Sequence, residues 1–89
     1  MRLKYEFTIM DMGDEYAAVS VGDDADKFHG MLKLNKVSAD ILNQLQNETD
    51  TVQIQNYLKE QYPDSSEDEI KKLLTDFINQ LVKEGLLIL

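Results

Sequence analysis

Ser66-Glu67-Asp68-Glu69-Ile70-Lys71-Lys72-Leu73-Leu74-Thr75-Asp76-Phe77-Ile78-Asn79-Gln80-Leu81-Val82-Lys83-Glu84-Gly85 is the stretch from which the fold is read. Ile70, Leu73, Leu74, Phe77, Ile78, Leu81 and Val82 recur at i, i+3, i+4, i+7, i+8, i+11 and i+12. That is the period of an α-helix with one broad apolar face. Ser66 and Glu69 have capping-box spacing: the hydroxyl accepts from the N3 amide and the carboxylate reaches back to the N-cap amide. Glu67, Asp68 and Glu69 suit the positive end of the helix dipole, and Lys83 suits the negative end. Gly85 can adopt the left-handed conformation that ends a helix. A helix with so wide a face needs something to lie against, and part of the face is open to a partner.

The preceding residues supply the packing surface. Lys4–Met10 alternates, with Tyr5, Phe7 and Ile9 on one side and Lys4, Glu6 and Thr8 on the other, which predicts a half-buried strand. Met12-Gly13-Asp14-Glu15 is a turn signal. Tyr16–Val21 predicts a second strand, joined to the first as a hairpin. Phe28–Leu34 predicts a third, with Phe28, Gly30, Leu32 and Leu34 on one face and His29, Met31 and Lys33 on the other. Gly30 marks a bulge or a close backbone approach.

Asn35 is a good N-cap for a helix running to about Leu45, with Val37, Ile41, Leu42 and Leu45 inward. A second helix begins near Asp50 or Thr51, where Asp50 and Gln53 have capping-box spacing. It buries Ile54, Tyr57, Leu58 and Tyr62 and stops at Pro63. Leu86–Leu89 is uniformly apolar and reads as a short strand beside the sheet or a tail tucked against the core. The order of three strands and then three helices implies an α+β domain: a three-stranded antiparallel sheet with three helices on one side, winged-helix-like, in one domain over residues 1–89.

Composition removes several functions. There is no cysteine, so disulfides, thiolate metal sites and cysteine nucleophiles are excluded. The single histidine, His29, lies in a strand with no nucleophile motif around it, and no Gly-rich phosphate loop is present. No catalytic residue, metal site or cofactor is expected. Asp23, Asp24 and Asp26 lack the spacing and the downstream Glu of a calcium loop, so a solvated acidic turn is favoured. The net charge is −8, and only Lys71 and Lys72 are adjacent bases. That disfavours nucleic acid and anionic membrane surfaces as partners. The N-terminus turns charged too early for a signal peptide, and no stretch is long enough to span a membrane, so a cytoplasmic location is expected.

Gly30-Met31-Leu32-Lys33-Leu34-Asn35 followed by Ala39, Ile41 and Leu45 resembles the pattern of the PqqD-like family. Ile54, Leu58 and Tyr62, the closing Lys-Glu-Gly-Leu, and the opening Lys-Tyr-Glu-Phe…Gly-Asp-Glu-Tyr…Val-Gly-Asp are similar to it as well. The resemblance covers nearly the whole chain and rests on order and spacing rather than on any one motif. Ser38, where members often have Gly, and Leu42, where an aromatic is common, depart from it.

The resemblance implies a non-catalytic peptide chaperone, or RiPP recognition element. Such a protein binds the leader of a ribosomally made precursor peptide and presents it to a modifying enzyme, often a radical-SAM protein. In pyrroloquinoline-quinone (PQQ) biosynthesis the founding member does this. It further implies that the leader adds as a strand beside the third strand, in the groove between that strand and the third helix. An open edge would support such β-augmentation. The expected peptide-binding residues are His29, Gly30, Met31, Leu32 and Lys33 on the strand and Leu73, Asp76, Phe77 and Gln80 on the helix. The opposite helix margin, near Ile78 and Val82, serves equally on periodicity alone. For Leu73 and Phe77 the competing reading is core; for Lys33 and Asp76 it is solvated surface. The alternatives to a peptide-binding adaptor are a winged-helix transcription regulator and a self-assembling domain. The oligomeric expectation is a monomer or a weak or swapped dimer.

Overall fold

A computed structural model describes residues 1–21 and 31–89. The predicted loop 22–27 and, from the predicted third strand, Phe28, His29 and Gly30 lie outside the described residues. The elements are β1 (Arg2–Leu3), β2 (Phe7–Asp11), β3 (Tyr16–Ser20), β4 (Met31–Leu34), α1 (Lys36–Gln44), α2 (Thr51–Gln61), α3 (Glu67–Lys83) and β5 (Leu87–Ile88). As expected, the architecture is α+β, with an antiparallel sheet in the order β2-β3-β4 followed by three helices.

The β2–β3 hairpin closes where the turn signal predicted. Gly13 has φ +95°, and the Met12 amide donates to the Glu15 carbonyl at 2.8 Å. Asp11 holds the turn by accepting from the Gly13 amide at 2.9 Å. The register places Ile9, Ala18 and Leu32 in one cross-strand row and Tyr16 beside Leu34 in the next. Those residues, with Phe7, face the helices. The other face carries the rows Met10–Ala17–Lys33 and Thr8–Val19–Met31.

Leu34, Ala39, Ile41, Leu42, Leu45, Ile54, Leu58, Ile70, Leu74, Ile78 and Leu81 form the core against the inner face of the sheet. Ser66 and Glu69 make both halves of the capping box of α3, and Gly85 ends the helix with φ +73°. Asn35 caps α1 by accepting from the Ser38 amide at 2.8 Å.

The wide apolar face of α3 is covered only in part: Leu73 and Val82 are 48% and 42% exposed. They stand about half a turn apart, on opposite margins, and a helix covered from one side buries only the middle of such a stripe. Three expectations are corrected. Asp50 caps α2 by accepting from the Gln53 amide, but Gln53 does not return the bond; its carbonyl oxygen accepts from the Thr49 hydroxyl at 3.0 Å. The first strand of the sheet starts at Phe7 rather than Lys4. The residues before it form a separate strand, β1, because Leu3 donates to the Leu45 carbonyl and Lys4 to the Leu86 carbonyl, both at 2.8 Å. The apolar end of the chain pairs with that strand and not with the main sheet: β5 and β1 form their own two-stranded sheet.

The start of α1 is tied to the end of α2. The Tyr62 hydroxyl donates to Asp40 at 2.5 Å, and Lys36 lies 3.4 Å from both. Partial burial raises the Tyr62 phenol above its ordinary range, and its bond to Asp40 adds to this. Lys36 is raised as well, first by its hydrogen bond to Tyr62 and then by the Asp40 charge. No helix among the described residues is long and apolar enough to cross a membrane.

Candidate functional site

β4 is an edge strand. It pairs with β3 on one side, and among the described residues no strand lies on the other. The hydrogen-bond pattern of the sheet fixes which of its backbone groups face that open side. In an antiparallel ladder, opposed residues alternate between pairs that exchange backbone bonds and pairs that do not. Met12 donates to Glu15, and Val21 donates to Glu6. Between them, Met10↔Ala17 and Thr8↔Val19 fall in the bonded phase. The N–H and C=O groups of Ala17 and Val19 therefore point toward β2, and those of Tyr16 and Ala18 point toward β4. Their partners, Leu34 and Leu32, use their backbone groups on β3. Met31 and Lys33 then direct theirs to the open margin. This strand presents two donors and two acceptors at alternate residues, the arrangement that an added strand can satisfy.

Alongside the margin lies a cavity of about 160 Å³, with Leu32, Lys33 and Leu34 on one side and Phe77, Gln80 and Glu84 on the other. Leu81 closes its floor, and Asn35 and Ser38 close the end at α1. Phe77, at the margin of the α3 stripe, is half-buried and packs against the core. It is both floor and wall. The helix wall carries one acid, Glu84, while Lys33 borders the cavity from β4 with its side chain on the outer face of the sheet.

The fold brings some of the expected site residues together and leaves others apart. Leu32, Lys33, Phe77 and Gln80 line the cavity together. Met31 flanks it on β4, 49% exposed, with its side chain on the outer face of the sheet. Leu73 and Asp76 are exposed on the same side of α3 as Phe77, toward its N-terminus, and do not line the cavity. His29 and Gly30 lie outside the described residues. Ile78 is buried and Val82 is exposed on the far margin, so the cavity opens along the Phe77 side of α3.

Leu34, Asn35, Ser38, Leu81 and Glu84 line the cavity without having been anticipated. Glu84 was legible in principle, since it falls four residues after Gln80 and seven after Phe77 on one helical side. A larger depression of about 720 Å³ lies between residues 2–6 and the α1–α2 connection. Its walls are mostly polar, including Arg2, Lys4, Asn43, Gln46 and Glu48. Among the described residues no group of His, Asp or Glu is placed to hold a metal ion.

Comparison with known proteins bears on this geometry. The family described as coenzyme PQQ synthesis protein D (PqqD) matches residues 9–87. A search of the curated proteins finds no match. Among solved structures, TbiB1 in complex with the TbiA(beta) leader peptide is similar in fold, with a TM-score of 0.72. The sequence identity is 16%, and the alignment covers 97% of this chain and 93% of that one.

Proposed function

Since the chain belongs to the PqqD family, we propose that it is a non-catalytic chaperone that binds the leader of a ribosomal precursor peptide and presents it to a modifying enzyme of the radical-SAM kind. The observation that carries this reading is the outward set of Met31 and Lys33 backbone groups, beside a groove floored by Phe77 and Leu81. A leader in extended form pairs with those groups as a further strand. Backbone pairing gives affinity with little demand on sequence, and the groove supplies side-chain selectivity.

Same-face residues of a strand are about 6.7 Å apart, and Leu73 and Phe77 are about 6 Å apart along their helix. Two apolar leader residues spaced by two therefore suit both. Leu73 and Asp76 thus extend the wall beyond the cavity. The fold similarity to a protein solved with a leader peptide supports the same reading. A DNA-binding role is disfavoured by the charge of −8, since phosphate contacts need clustered bases.

The test is a titration of isotope-labelled protein with a synthetic peptide copied from the leader of a precursor encoded beside the gene. The expected result is amide shifts in Met31–Leu34 and Phe77–Glu84. Shifts confined to other parts of the molecule reject the reading. Pull-down of a neighbouring radical-SAM enzyme, strengthened by the leader, tests the second half.

A further inference from the structure

Peptide binding at β4 does not by itself say which peptides the groove takes, and any answer rests on that reading of the site. An added strand turns alternate side chains to opposite faces. On the outer face its neighbours from β4 are Met31 and Lys33. On the helix side they are Leu32, Phe77, Gln80 and Glu84. Lys33 and Glu84 are thus the charged residues that line the cavity, on opposite sides of the added strand, and among the described residues neither makes an ion pair. Lys33 is flanked in sequence by the two inward leucines that line the cavity. A residue set opposite Lys33 therefore has one helix-facing neighbour before it and one after it.

We infer that the groove reads charge by face. The leader segment it selects carries an acidic residue on the outer face opposite Lys33. One adjoining helix-facing position is apolar and sits against Phe77, and the other is basic and reaches Glu84. Opposite charges in cross-strand positions attract, and like charges there repel. An apolar–acidic–basic triplet, in either chain direction, satisfies both walls. Exchanging its two charges sets like charges against both, with the composition and net charge unchanged.

The experiment uses four synthetic twelve-residue peptides with one shared flank of Thr, Val and Ser. They carry Leu-Glu-Lys, its reverse Lys-Glu-Leu, and the exchanged forms Leu-Lys-Glu and Glu-Lys-Leu. Binding is followed at low salt, where surface charge is least screened, by amide shifts of the whole protein. The better Glu-centred peptide is expected to bind roughly five- to tenfold more tightly than either exchanged form. The paired substitutions Lys33→Glu and Glu84→Lys are expected to invert that order. Both positions are exposed, and melting of the variant checks that it is folded. Affinities within twofold for all four peptides, with Met31 and Lys33 amides still shifting, overturn the charge code and leave peptide binding standing. No shift of those amides with any peptide overturns the peptide-binding reading and the code with it.

Discussion

Leu73 and Tyr62 show how one residue can be assigned a role by what surrounds it. Leu73 sits on the apolar stripe of α3 yet is 48% exposed, so the core does not need it. Leu73→Ser is expected to change stability by no more than about 0.5 kcal/mol, as for an ordinary surface site. Leader affinity is expected to fall severalfold, measured by titration calorimetry. Unchanged affinity removes Leu73 from the groove wall.

Tyr62 belongs to the scaffold. Its phenol and the Lys36 ammonium are both raised in the folded chain, so the unfolded chain loses these protons first as pH rises. Their stabilisation is fully present below about pH 10 and is lost as pH climbs through the folded values. Tyr62→Phe is expected to lower stability at neutral pH by about 1 kcal/mol, the worth of one hydrogen bond. It should also flatten the alkaline fall in melting temperature. A variant with the wild-type alkaline profile contradicts the assignment.

At the level of elements, the alternation within β4 makes a sharp distinction. Lys33 turns its amide to the open margin, and Leu32 turns its amide to β3. Proline removes an amide donor and is tolerated on a strand edge where that donor faces outward. Lys33→Pro is expected to keep the fold and abolish leader binding. Leu32→Pro is expected to lose a ladder bond and destabilise the sheet. Circular dichroism melts and peptide titration of the two variants separate these outcomes; equal destabilisation by both contradicts the derived bonding phase.

The α3 cap offers a control outside the site: Ser66→Ala is expected to cost about 1 kcal/mol in urea unfolding and to leave peptide affinity alone. Most elements were legible in the sequence because each carries a local cause. Ser66, Asn35 and Asp50 cap helices, Gly13 makes the hairpin turn, and apolar spacing sets the faces. That Gln53 makes no return bond to Asp50 was not legible, because Thr49 competes for the same side chain.

On the scale of the whole molecule, what the sequence hides is what depends on contacts between distant residues. Nothing in Arg2-Leu3 announces a strand. It becomes one because Leu87-Ile88 arrives beside it and the Leu45 and Leu86 carbonyls accept its neighbouring amides. The same holds for the groove. Helical period places Phe77 and Val82 on opposite margins, but only the tertiary fold brings the Phe77 margin beside β4. Glu84 joins that wall from beyond the last turn of α3.

The β1–β5 ribbon joins the two ends of the described fold through Leu3 and Leu86, which are 6% and 1% exposed. Leu3→Ala is expected to cost about 2–4 kcal/mol, as for a buried leucine, and to lower the melting temperature by ten degrees or more, on the order expected for so small a domain.

The central claim is that a leader completes the sheet at β4. Amide hydrogen exchange measured residue by residue, with and without the leader peptide, tests it most directly. In the protein alone, Leu32 and Leu34 should exchange slowly and Met31 and Lys33 quickly; with peptide, Met31 and Lys33 should become protected while Leu32 and Leu34 stay as they were. Protection of Met31 and Lys33 before any peptide is added, or no gain on adding it, would contradict the claim.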